Sequence, residues 1–249
     1  MFEDIAGKRV LVTGASSGFG THFARLFARH GAKVTLAARR LEALETVRAE
    51  IVADGGKAEA ARLDVADAAS VLALFETAVP FDIVVNNAGV GGASKAMDLA
   101  EADWDQVVDT NLKGAFLVAQ GAARALRAAG KPGSIINIAS IVGLRVASEL
   151  APYAASKAGL IHLTRQLALE WARYDIRVNA ICPGYIETDI NRDFFATAAG
   201  AAMIKRVPQR RLGQIEDLDG PLLLLASDAA AYMTGSIVAV DGGHLVSSL

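Results

Sequence analysis

Three side chains in the second half of this sequence have the types and spacing that acid–base chemistry needs. Tyr153 and Lys157 are four residues apart within a predicted helix, which places a phenol and an ammonium one turn apart on the same face. A neighbouring ammonium favours the phenolate, so we expect the pKa of the tyrosine to fall from its usual value of about 10. Ser140 follows a predicted strand and could hydrogen-bond the same substrate oxygen. Together these groups could pass a proton to or from a carbinol oxygen.

The elements that must position these groups follow a regular alternation. Seven apolar runs alternate with six or more helical patterns, which predicts an α/β fold: a Rossmann-like, doubly wound parallel sheet with helices on both faces. The predicted strands are 8–13, 33–38, a weak run ending at 62–65, 82–85, 134–138, 176–181 and 236–240. The predicted helices are 18–30, 41–53, 68–78, 104–129, 152–174 and 216–227. No linker or repeat interrupts them, so we expect one domain over residues 1–249.

The first strand leads into a glycine-rich turn, and a helix follows. The turn reads Thr-Gly-Ala-Ser-Ser-Gly-Phe-Gly over residues 13–20. Glycines in such a turn tighten it, let the backbone approach a pyrophosphate and let helix pack against strand, while the helix N-terminus attracts phosphate. A strand, a glycine turn, a helix and a second strand together favour dinucleotide binding over glycines that only turn the chain.

Other strand ends also carry polar residues. Asp64 could accept a hydrogen bond from an adenine amino group, or it could cap the helix that starts near Asp67. The Asn-Asn-Ala-Gly sequence at 86–89 fits a cofactor-binding edge better than an Asx turn alone. Asn111 inside a long helix indicates a bend, a buried amide contact or a close helix approach. Residues 185–208 lack strict periodicity and form a candidate substrate lid, with a plain surface helix as the alternative.

Composition excludes several classes of protein. With 53% apolar and 21% charged residues the chain is globular rather than disordered, and a net charge of −2 gives no basis for nucleic-acid or anionic-membrane binding. No run approaches the roughly 20 apolar residues of a membrane helix, and the N-terminus does not read as a signal peptide. The single cysteine, Cys182, is expected to be a buried structural thiol and points to a reducing compartment, the cytosol. We expect no metal site.

Taken together, these motifs resemble the short-chain dehydrogenase/reductase family over essentially the whole chain. The resemblance implies an NAD(P)(H)-dependent oxidoreductase that acts on an alcohol or ketone, and a homotetramer. By this resemblance, Tyr153 is the general acid/base, and Lys157 lowers its pKa and holds the nicotinamide ribose. It also implies that Ser140 orients the substrate oxygen and that Asn111 holds a water in a proton relay. The apolar helix at 216–226 and the C-terminal segment would then form an interface.

Two positions depart from the commonest family pattern. Phe19 replaces an aliphatic residue in the glycine turn, so packing near the cofactor is expected to differ. Ala38 stands where NAD-preferring members carry an acid, and Arg39-Arg40 follow. A guanidinium can clamp a 2′-phosphate that a carboxylate would repel, so we expect NADP(H) to be preferred over NAD(H), with Arg39 and Ser16 around the phosphate. The alternative is that these arginines only begin an exposed helix.

The resemblance and the Arg39 hypothesis together define a set of site residues. The cofactor-binding residues are expected to be Gly14, Ser16, Ser17, Gly18, Phe19, Gly20, Arg39, Asp64, Val65, Asn87, Ala88, Gly89, Tyr153, Lys157, Pro183, Gly184, Ile186 and Thr188, with Asn86 beside the ribose. The substrate pocket is expected to be lined by Ser140, Val142, Leu144, Leu150, Tyr185, Phe194 and Phe195. These mostly apolar side chains suggest an apolar or aromatic ketone, and Glu149 is interpreted as a solvated loop residue.

Two other functions stay open at the level of sequence. A 3-oxoacyl-thioester reductase would need a basic patch to receive a carrier protein, for which Arg124, Arg127 and Lys131 are candidates. A dinucleotide-binding protein without turnover is the alternative from a different class. It is disfavoured because Asn111, Ser140, Tyr153 and Lys157 are all present.

Overall fold

The strands form one parallel sheet, as the alternation predicts. The computed structural model describes residues 2–187, 192–195 and 197–247. Its strands are β1 (Arg9–Thr13), β2 (Lys33–Ala38), β3 (Lys57–Arg62), β4 (Ile83–Asn86), β5 (Gly133–Ile138), β6 (Ile176–Pro183) and β7 (Ile237–Val240). They lie in the order β3-β2-β1-β4-β5-β6-β7, and every neighbouring pair is parallel. All carboxyl ends therefore meet at one edge, where ligands bind in sheets of this kind.

Helices cover both faces of this sheet. They are α1 (Gly18–Arg29), α2 (Leu41–Ala53), α3 (Ala68–Thr77), α4 (Glu101–Val108), α5 (Ala115–Ala129), α6 (Ala151–Trp171), α7 (Arg192–Phe195), α8 (Ala198–Ile204) and α9 (Asp219–Ala226). Buried residues of α1, α2 and α9 pack on one face, and those of α3, α5 and α6 pack on the other. The strands β1, β2, β4, β5 and β6 are largely buried between these two layers, which is why they read as continuous apolar runs.

The long helix predicted over 104–129 is interrupted. A π-helical segment, Asp109–Gly114, lies between α4 and α5. A side chain at Gly114 could not fit there, because its Cβ would lie 2.8 Å from Cγ2 of Val65. The wider helical turn brings the chain close to the loop after β3 and points Asn111 inward, so the predicted buried amide and close approach are both confirmed.

The apolar run of α9 is explained within the chain itself. Leu222 and Leu225 are fully buried, and both belong to the core that packs against α1 and α2. Burying each such side chain contributes about 1.5–3 kcal/mol. We expected this helix to be apolar because it forms an interface between copies. The core of one chain already accounts for these apolar residues, so they do not by themselves indicate an interface, and the interface stays a prediction.

Candidate active site

Ser140 is held at the carboxyl edge of the sheet by a short capped turn. It follows β5, and its Oγ accepts a hydrogen bond from the backbone N–H of Val142 at 3.2 Å, which caps the 3₁₀ turn Ile141–Gly143. This turn packs directly on α6, since a Cβ at Gly143 would lie 2.7 Å from the backbone carbon of Lys157. The close contact brings the serine, the helix and its reactive face into one site.

Lys157 is a buried cation one turn after Tyr153. Only 4% of its surface is exposed, and its Nζ donates to the backbone carbonyl of Ile138 at 2.8 Å. Burial lowers the pKa of its ammonium from 10.5 to about 8. The group therefore stays mostly protonated at neutral pH but loses its proton within the ordinary working range of an enzyme.

The pKa of Tyr153 shifts in the opposite direction from our expectation. Burial raises the pKa of the phenol above its usual value, and a hydrogen bond with the Ser140 side chain lowers it by less. Lys157 Nζ lies 5.6 Å from the centroid of the tyrosine ring. The expected net fall of this pKa is therefore wrong for the site as it stands, because removal from water dominates. A protonated phenol at neutral pH is a proton donor.

Asn111 has its side-chain amide committed to protein partners. Its Oδ1 accepts from the backbone N–H of Val90 at 2.8 Å, and its Nδ2 donates to the carbonyl of Val90 at 2.9 Å and to Oγ of Ser156 at 3.2 Å. Gly89 lies between this amide and the lysine, since its Cβ would be 3.2 Å from Asn111 Oδ1 and 3.5 Å from Lys157 Nζ. The side chain thus fixes the loop after β4 against α6, and the proton relay through a water at Asn111 stays a prediction.

A cavity of about 430 Å³ lies at the ends of β1, β2 and β4. Ten of the residues predicted to bind the cofactor line it: Gly14, Ser16, Ser17, Phe19, Arg39, Asp64, Val65, Asn87, Ala88 and Gly89. Ala37, Ala38, Arg40, Leu63, Val90 and Thr110 complete the wall. Thr110 and Val90 escaped the sequence analysis because the π-helical segment and the loop it holds bring them to the cavity.

The glycine turn beside this cavity leaves room for a phosphate group. Gly14 has φ of +67°, and a Cβ there would lie 2.8 Å from Cα of Ala88, so only glycine fits. A Cβ at Gly20 would lie 2.2 Å from the carbonyl oxygen of Gly14. No side-chain hydrogen bond from Ser17 caps the N-terminus of α1, and Gly18 borders a shallow pocket on its outer side. The donor set and the close-packed glycines fit a dinucleotide with its pyrophosphate at the start of α1.

The structure separates the two roles proposed for Asp64. Asp67 caps α3 by accepting from the N–H of Ala69 at 2.9 Å, whereas Asp64 accepts from the N–H of Ala66 at 3.1 Å and lines the cavity. The capping alternative for Asp64 is therefore wrong. Phe19 also lines the cavity, and its ring centroid lies 5.9 Å from that of Phe23.

Arg40 reaches the residue that we had paired with Arg39. Its Nη2 donates to Oγ of Ser16 at 3.1 Å, across the mouth of the cavity. Arg39 lines the same cavity, and both arginines are exposed. Arg39 therefore stays a predicted phosphate-binding residue, and Arg40 is a second one that the sequence analysis did not select.

Two residues near the cavity serve the core instead. Asn86 is 3% exposed, and its Nδ2 donates to Asn137 Oδ1 at 2.9 Å and to the carbonyl of Ala115 at 3.0 Å. The expectation that Asn86 borders the ribose is therefore wrong, and Asn87 takes that edge. Cys182 is fully buried, and burial raises its pKa to about 11, which confirms a structural thiol rather than a nucleophile.

The residues after β6 lie apart from the 430 Å³ cavity. Gly184 donates its backbone N–H to the carbonyl of Val240, and Ile186 is 4% exposed and lines a separate cavity of about 330 Å³. Pro183 ends β6 itself. Thr188 lies outside the described residues, so the structure does not place its side chain.

The predicted substrate residues divide among different surfaces. Val142 and Tyr185 line a cavity of about 990 Å³, and the Tyr185 ring centroid lies 6.0 Å from that of Phe195. Leu150 lines a different cavity with Glu149, and Leu144 is exposed. The side chain of Phe194 lies outside what the structure describes.

The larger cavity also corrects our expectation of an apolar pocket. Basic side chains absent from the predicted set line much of it: Arg145, Lys205, Arg206, Arg210 and His244. Sequence position could not reveal them, because the C-terminal turn carrying His244 folds back on Arg145 from 99 residues away.

Two further searches of the described residues gave negative results. None of the helices within 2–187, 192–195 and 197–247 is long and apolar enough to cross a membrane. Over the same residues, no group of three or more His, Cys, Asp or Glu side chains is arranged to hold a metal ion.

Comparison with known proteins gives one consistent pattern. A family model described as enoyl-(acyl carrier protein) reductase matches residues 14–244. Gluconate 5-dehydrogenase of Gluconobacter oxydans is 36% identical over 248 residues, covering 98% of this chain and 96% of that protein. 3beta-hydroxysteroid dehydrogenase 1 of Eggerthella lenta is 42% identical over 250 residues, covering 98% and 95%.

Solved structures agree along the whole chain. A short-chain type dehydrogenase/reductase from Mycobacterium marinum superposes with a TM-score of 0.91 at 39% identity, covering 98% of this chain and 97% of that one. A gluconate 5-dehydrogenase from Burkholderia cenocepacia, solved with NADP and tartrate, gives a TM-score of 0.94 at 35% identity, covering 99% of each chain. The fold is thus shared with oxidoreductases over nearly the whole chain.

Proposed function

This chain belongs to the short-chain dehydrogenase/reductase family and is an NAD(P)-dependent oxidoreductase that interconverts ketones and alcohols; from that premise we propose its residue roles and its preferred cofactor. We propose that it prefers NADP(H) and that Tyr153 is its general acid/base. The observation that carries the proposal is the meeting of Ser140, Tyr153 and Lys157 at the sheet edge. These residues come from β5 and α6, and Gly89 places Lys157 beside the dinucleotide cavity.

In this proposal the protein positions the substrate and manages one proton. The bound nicotinamide cofactor supplies or accepts a hydride at its ring carbon. Ser140 donates a hydrogen bond to the substrate carbonyl oxygen, and as the carbon–oxygen double bond becomes single, Tyr153 gives that oxygen its phenolic proton. Lys157 stabilises the phenolate that remains. Burial raises the pKa of Tyr153, so the phenol carries its proton at neutral pH and can donate it during reduction of a ketone.

The remaining residues have supporting roles in this proposal. Asn111 holds the loop after β4 in place, so that Gly89 can lie beside Lys157. Pro183 ends β6, and Gly184, Ile186 and Thr188 follow it; these residues would border the nicotinamide carboxamide. The segment 185–208 would act as the substrate lid, which is consistent with the position of Tyr185 on the large cavity.

The preference for NADP(H) rests on charge at the end of β2. Ala38 leaves no carboxylate there, and Arg39 and Arg40 line the same cavity as Ser16. We expect Arg40→Ala, and more strongly the double replacement with Arg39→Ala, to lower kcat/KM for NADPH by about 10–100-fold while kcat/KM for NADH changes little, because a charged hydrogen bond contributes about 1.5–3 kcal/mol. Arg48→Ala is the matched control, since Arg48 lies on the exposed side of α2 beside Glu45. The proposal would be contradicted if the parent had equal kcat/KM values for NADPH and NADH and the double variant kept both values unchanged.

A 3-oxoacyl-thioester reductase is the second candidate, favoured by the carrier-protein description of the matching family model. The basic residues that we had suggested for carrier docking are wrongly placed. Arg124 and Arg127 lie on α5 towards the end that leads into β5, and Arg127 stacks 4.9 Å from the centroid of Tyr174. That is the amino edge of the sheet, opposite Ser140.

We propose further that the enzyme is a cytoplasmic homotetramer, as the family resemblance implies.

A panel of ketones and acyl thioesters tests the proposed function. Purified protein is mixed with NADPH or NADH, and absorbance of the reduced cofactor is followed with simple ketones and with an acetoacetyl thioester. We expect consumption with ketones and faster turnover with NADPH. Failure to oxidise either reduced cofactor, despite measurable cofactor binding, would favour a dinucleotide-binding protein without turnover. Turnover confined to the thioester would favour the second candidate.

A further inference from the structure

The 990 Å³ cavity beside Ser140 carries an uneven distribution of charge. Its basic lining consists of Arg145, Lys205, Arg206, Arg210 and His244, and none of its lining residues within the described part of the chain is an Asp or Glu. The chain as a whole carries a net charge of −2, so this concentration of cations is local. A cavity wall of one sign attracts ligands of the opposite sign.

This cavity adjoins the turn that Ser140 caps, while Ser140, Tyr153 and Lys157 themselves do not line it. It begins at Ile141 and Val142, on the turn that Ser140 caps. The backbone N–H of Arg145 donates to the carbonyl of Ile141 at 2.8 Å, so the arginine lies one tight turn beyond the serine. At about 2 Å of rise per residue, the backbone of Arg145 lies roughly 10 Å from that of Ser140. A ligand that meets both the serine hydroxyl and the guanidinium would have to span a distance of this order.

Arg145 is fixed from behind by the C-terminal turn. Its Nη1 donates to the carbonyl of His244 at 2.8 Å and to Oγ of Ser247 at 3.3 Å. The nearest acid in that turn, Asp241, accepts from the backbone N–H groups of Gly243 and Leu245 at 2.9 and 2.7 Å. Asp241 is thus committed to holding the turn. Among the described residues, Arg145 forms no ion pair with an acid, and it lines the cavity.

The positive charges around the cavity also act on the side chain of His244, which is buried in the cavity wall. The residue is 8% exposed, and its Nδ1 is buried without a hydrogen-bond partner in the described structure. Burial, the charge of Arg145 and that of Arg206 all lower its pKa, and only Asp241 opposes them. The imidazole is therefore neutral at pH 7, and the arginines supply the fixed charge.

We infer that the physiological substrate is a small carboxylic acid, whose carboxylate is held by Arg145 with Arg206 nearby while its ketone or hydroxyl group meets Ser140 and Tyr153. The inference rests on the proposed function, because it names the substrate class of that same site. A planar guanidinium matches a carboxylate through paired hydrogen bonds. Val142, Val146 and Met203 give the cavity an apolar wall for the carbon chain.

The placement of Arg145 favours a small acid over an acidic carrier protein. Arg145 is half-buried and held inward by His244 and Ser247, so it faces into a cavity rather than out from a surface. A docking surface for a folded protein would depend on protruding, exposed cations. The exposed Lys205 and Arg210 rim the same cavity and would steer an anion towards it.

Matched pairs of charged and neutral ketones test this inference. Acetoacetate is compared with acetoacetamide and levulinate with levulinamide, using NADPH and the parent protein, Arg145→Gln, Arg206→Gln and Arg124→Gln. We expect kcat/KM for at least one acid to exceed that for its amide by about tenfold or more, and added salt to reduce the difference. Arg145→Gln should remove most of that preference with less than about a threefold change for the amide. Arg206→Gln should weaken it, and the distant Arg124→Gln should leave it intact.

Three results would overturn the inference. The amides could equal the acids in the parent protein, or both arginine variants could keep the preference for the acids, or turnover could be confined to a carrier-protein thioester. If Arg145→Gln does not fold, Arg206→Gln and the salt dependence of the parent decide the matter. Absence of turnover with every ketone would instead count against the proposed function.

Discussion

Tyr153 and Lys157 share an environment that excludes water, and this moves both pKa values towards the neutral forms. The pKa of the phenol rises and that of the ammonium falls to about 8. The Tyr-x-x-x-Lys spacing correctly predicts that the two groups are neighbours, but it predicts the wrong direction for the tyrosine. Spacing on a helix fixes distance, whereas desolvation depends on how Ser140, Ile138 and the strands close over the pair, and one sequence does not show this.

The buried ammonium of Lys157 should cost the protein stability, so we expect Lys157→Met to be more stable than the parent at pH 7. Below pH 8 the lysine is charged in both the folded and the unfolded chain, and charging it inside the protein costs about 3 kcal/mol. Loss of its hydrogen bond to Ile138 offsets about 1 kcal/mol of the gain. As the pH rises from 8 to 10.5, Lys157 loses its proton in the folded parent and its burial no longer costs stability. The difference in the free energy of unfolding between variant and parent should therefore shrink.

Chemical denaturation of parent and variant at several pH values measures this effect. The difference in the free energy of unfolding between parent and variant is more informative than either value alone, because other groups titrate equally in both proteins. A difference in the free energy of unfolding that stays constant from pH 7 to above pH 10 would show that burial does not shift the pKa of Lys157. Stability gained at neutral pH should accompany loss of turnover.

Helices and strands were the most predictable part of this molecule. Six of the seven strands begin and end within two residues of their predicted bounds, because runs such as Val10–Val12 are apolar on both sides and end at glycine or asparagine. The weak third strand was placed too late, since β3 lies at the sheet edge with its residues alternately exposed. Asn111 and Gly114 marked an irregularity in the long helix, but the π-helical form depends on contact with Val65.

That contact makes Gly114 a test of the π-helical segment. A Cβ at Gly114 would lie 2.8 Å from Cγ2 and 2.9 Å from the carbonyl oxygen of Val65. Relieving the second contact requires the backbone of Val65 to move, which costs more than a side-chain rotation. We expect Gly114→Ala to lower the free energy of unfolding by about 1–3 kcal/mol and to weaken NADPH binding, because Val65 lines the cofactor cavity.

Gly220→Ala provides the matched control for this prediction. Gly220 lies in α9, and nothing comes within 4 Å of its Cβ position. An alanine there should raise stability by about 0.5–1 kcal/mol and leave NADPH affinity unchanged. If both variants were equally stable, the close packing of the π-helical segment on the loop after β3 would be contradicted.

Across the whole molecule, a parallel sheet gathers residues that are far apart in sequence at one edge. Ten residues of the predicted cofactor set line one cavity, because they follow strand ends in recognisable patterns. Sequence reasoning found the substrate side poorly. Arg145, Arg206 and His244 line one cavity because the C-terminal turn after β7 packs against Arg145. No local sequence pattern predicts this packing. The reaction class is therefore readable from motifs, while the substrate depends on tertiary packing.

Proton transfer by Tyr153 is the claim on which the rest of this account depends. The most direct measurement compares single-turnover oxidation of bound NADPH by a ketone in the parent, in Tyr153→Phe and in the control Tyr174→Phe, with NADPH affinity measured for each. We predict that Tyr153→Phe keeps its affinity for NADPH but loses about 10²–10⁴-fold in rate, whereas Tyr174→Phe keeps both. A Tyr153→Phe protein that binds NADPH and transfers hydride as fast as the parent would contradict the account.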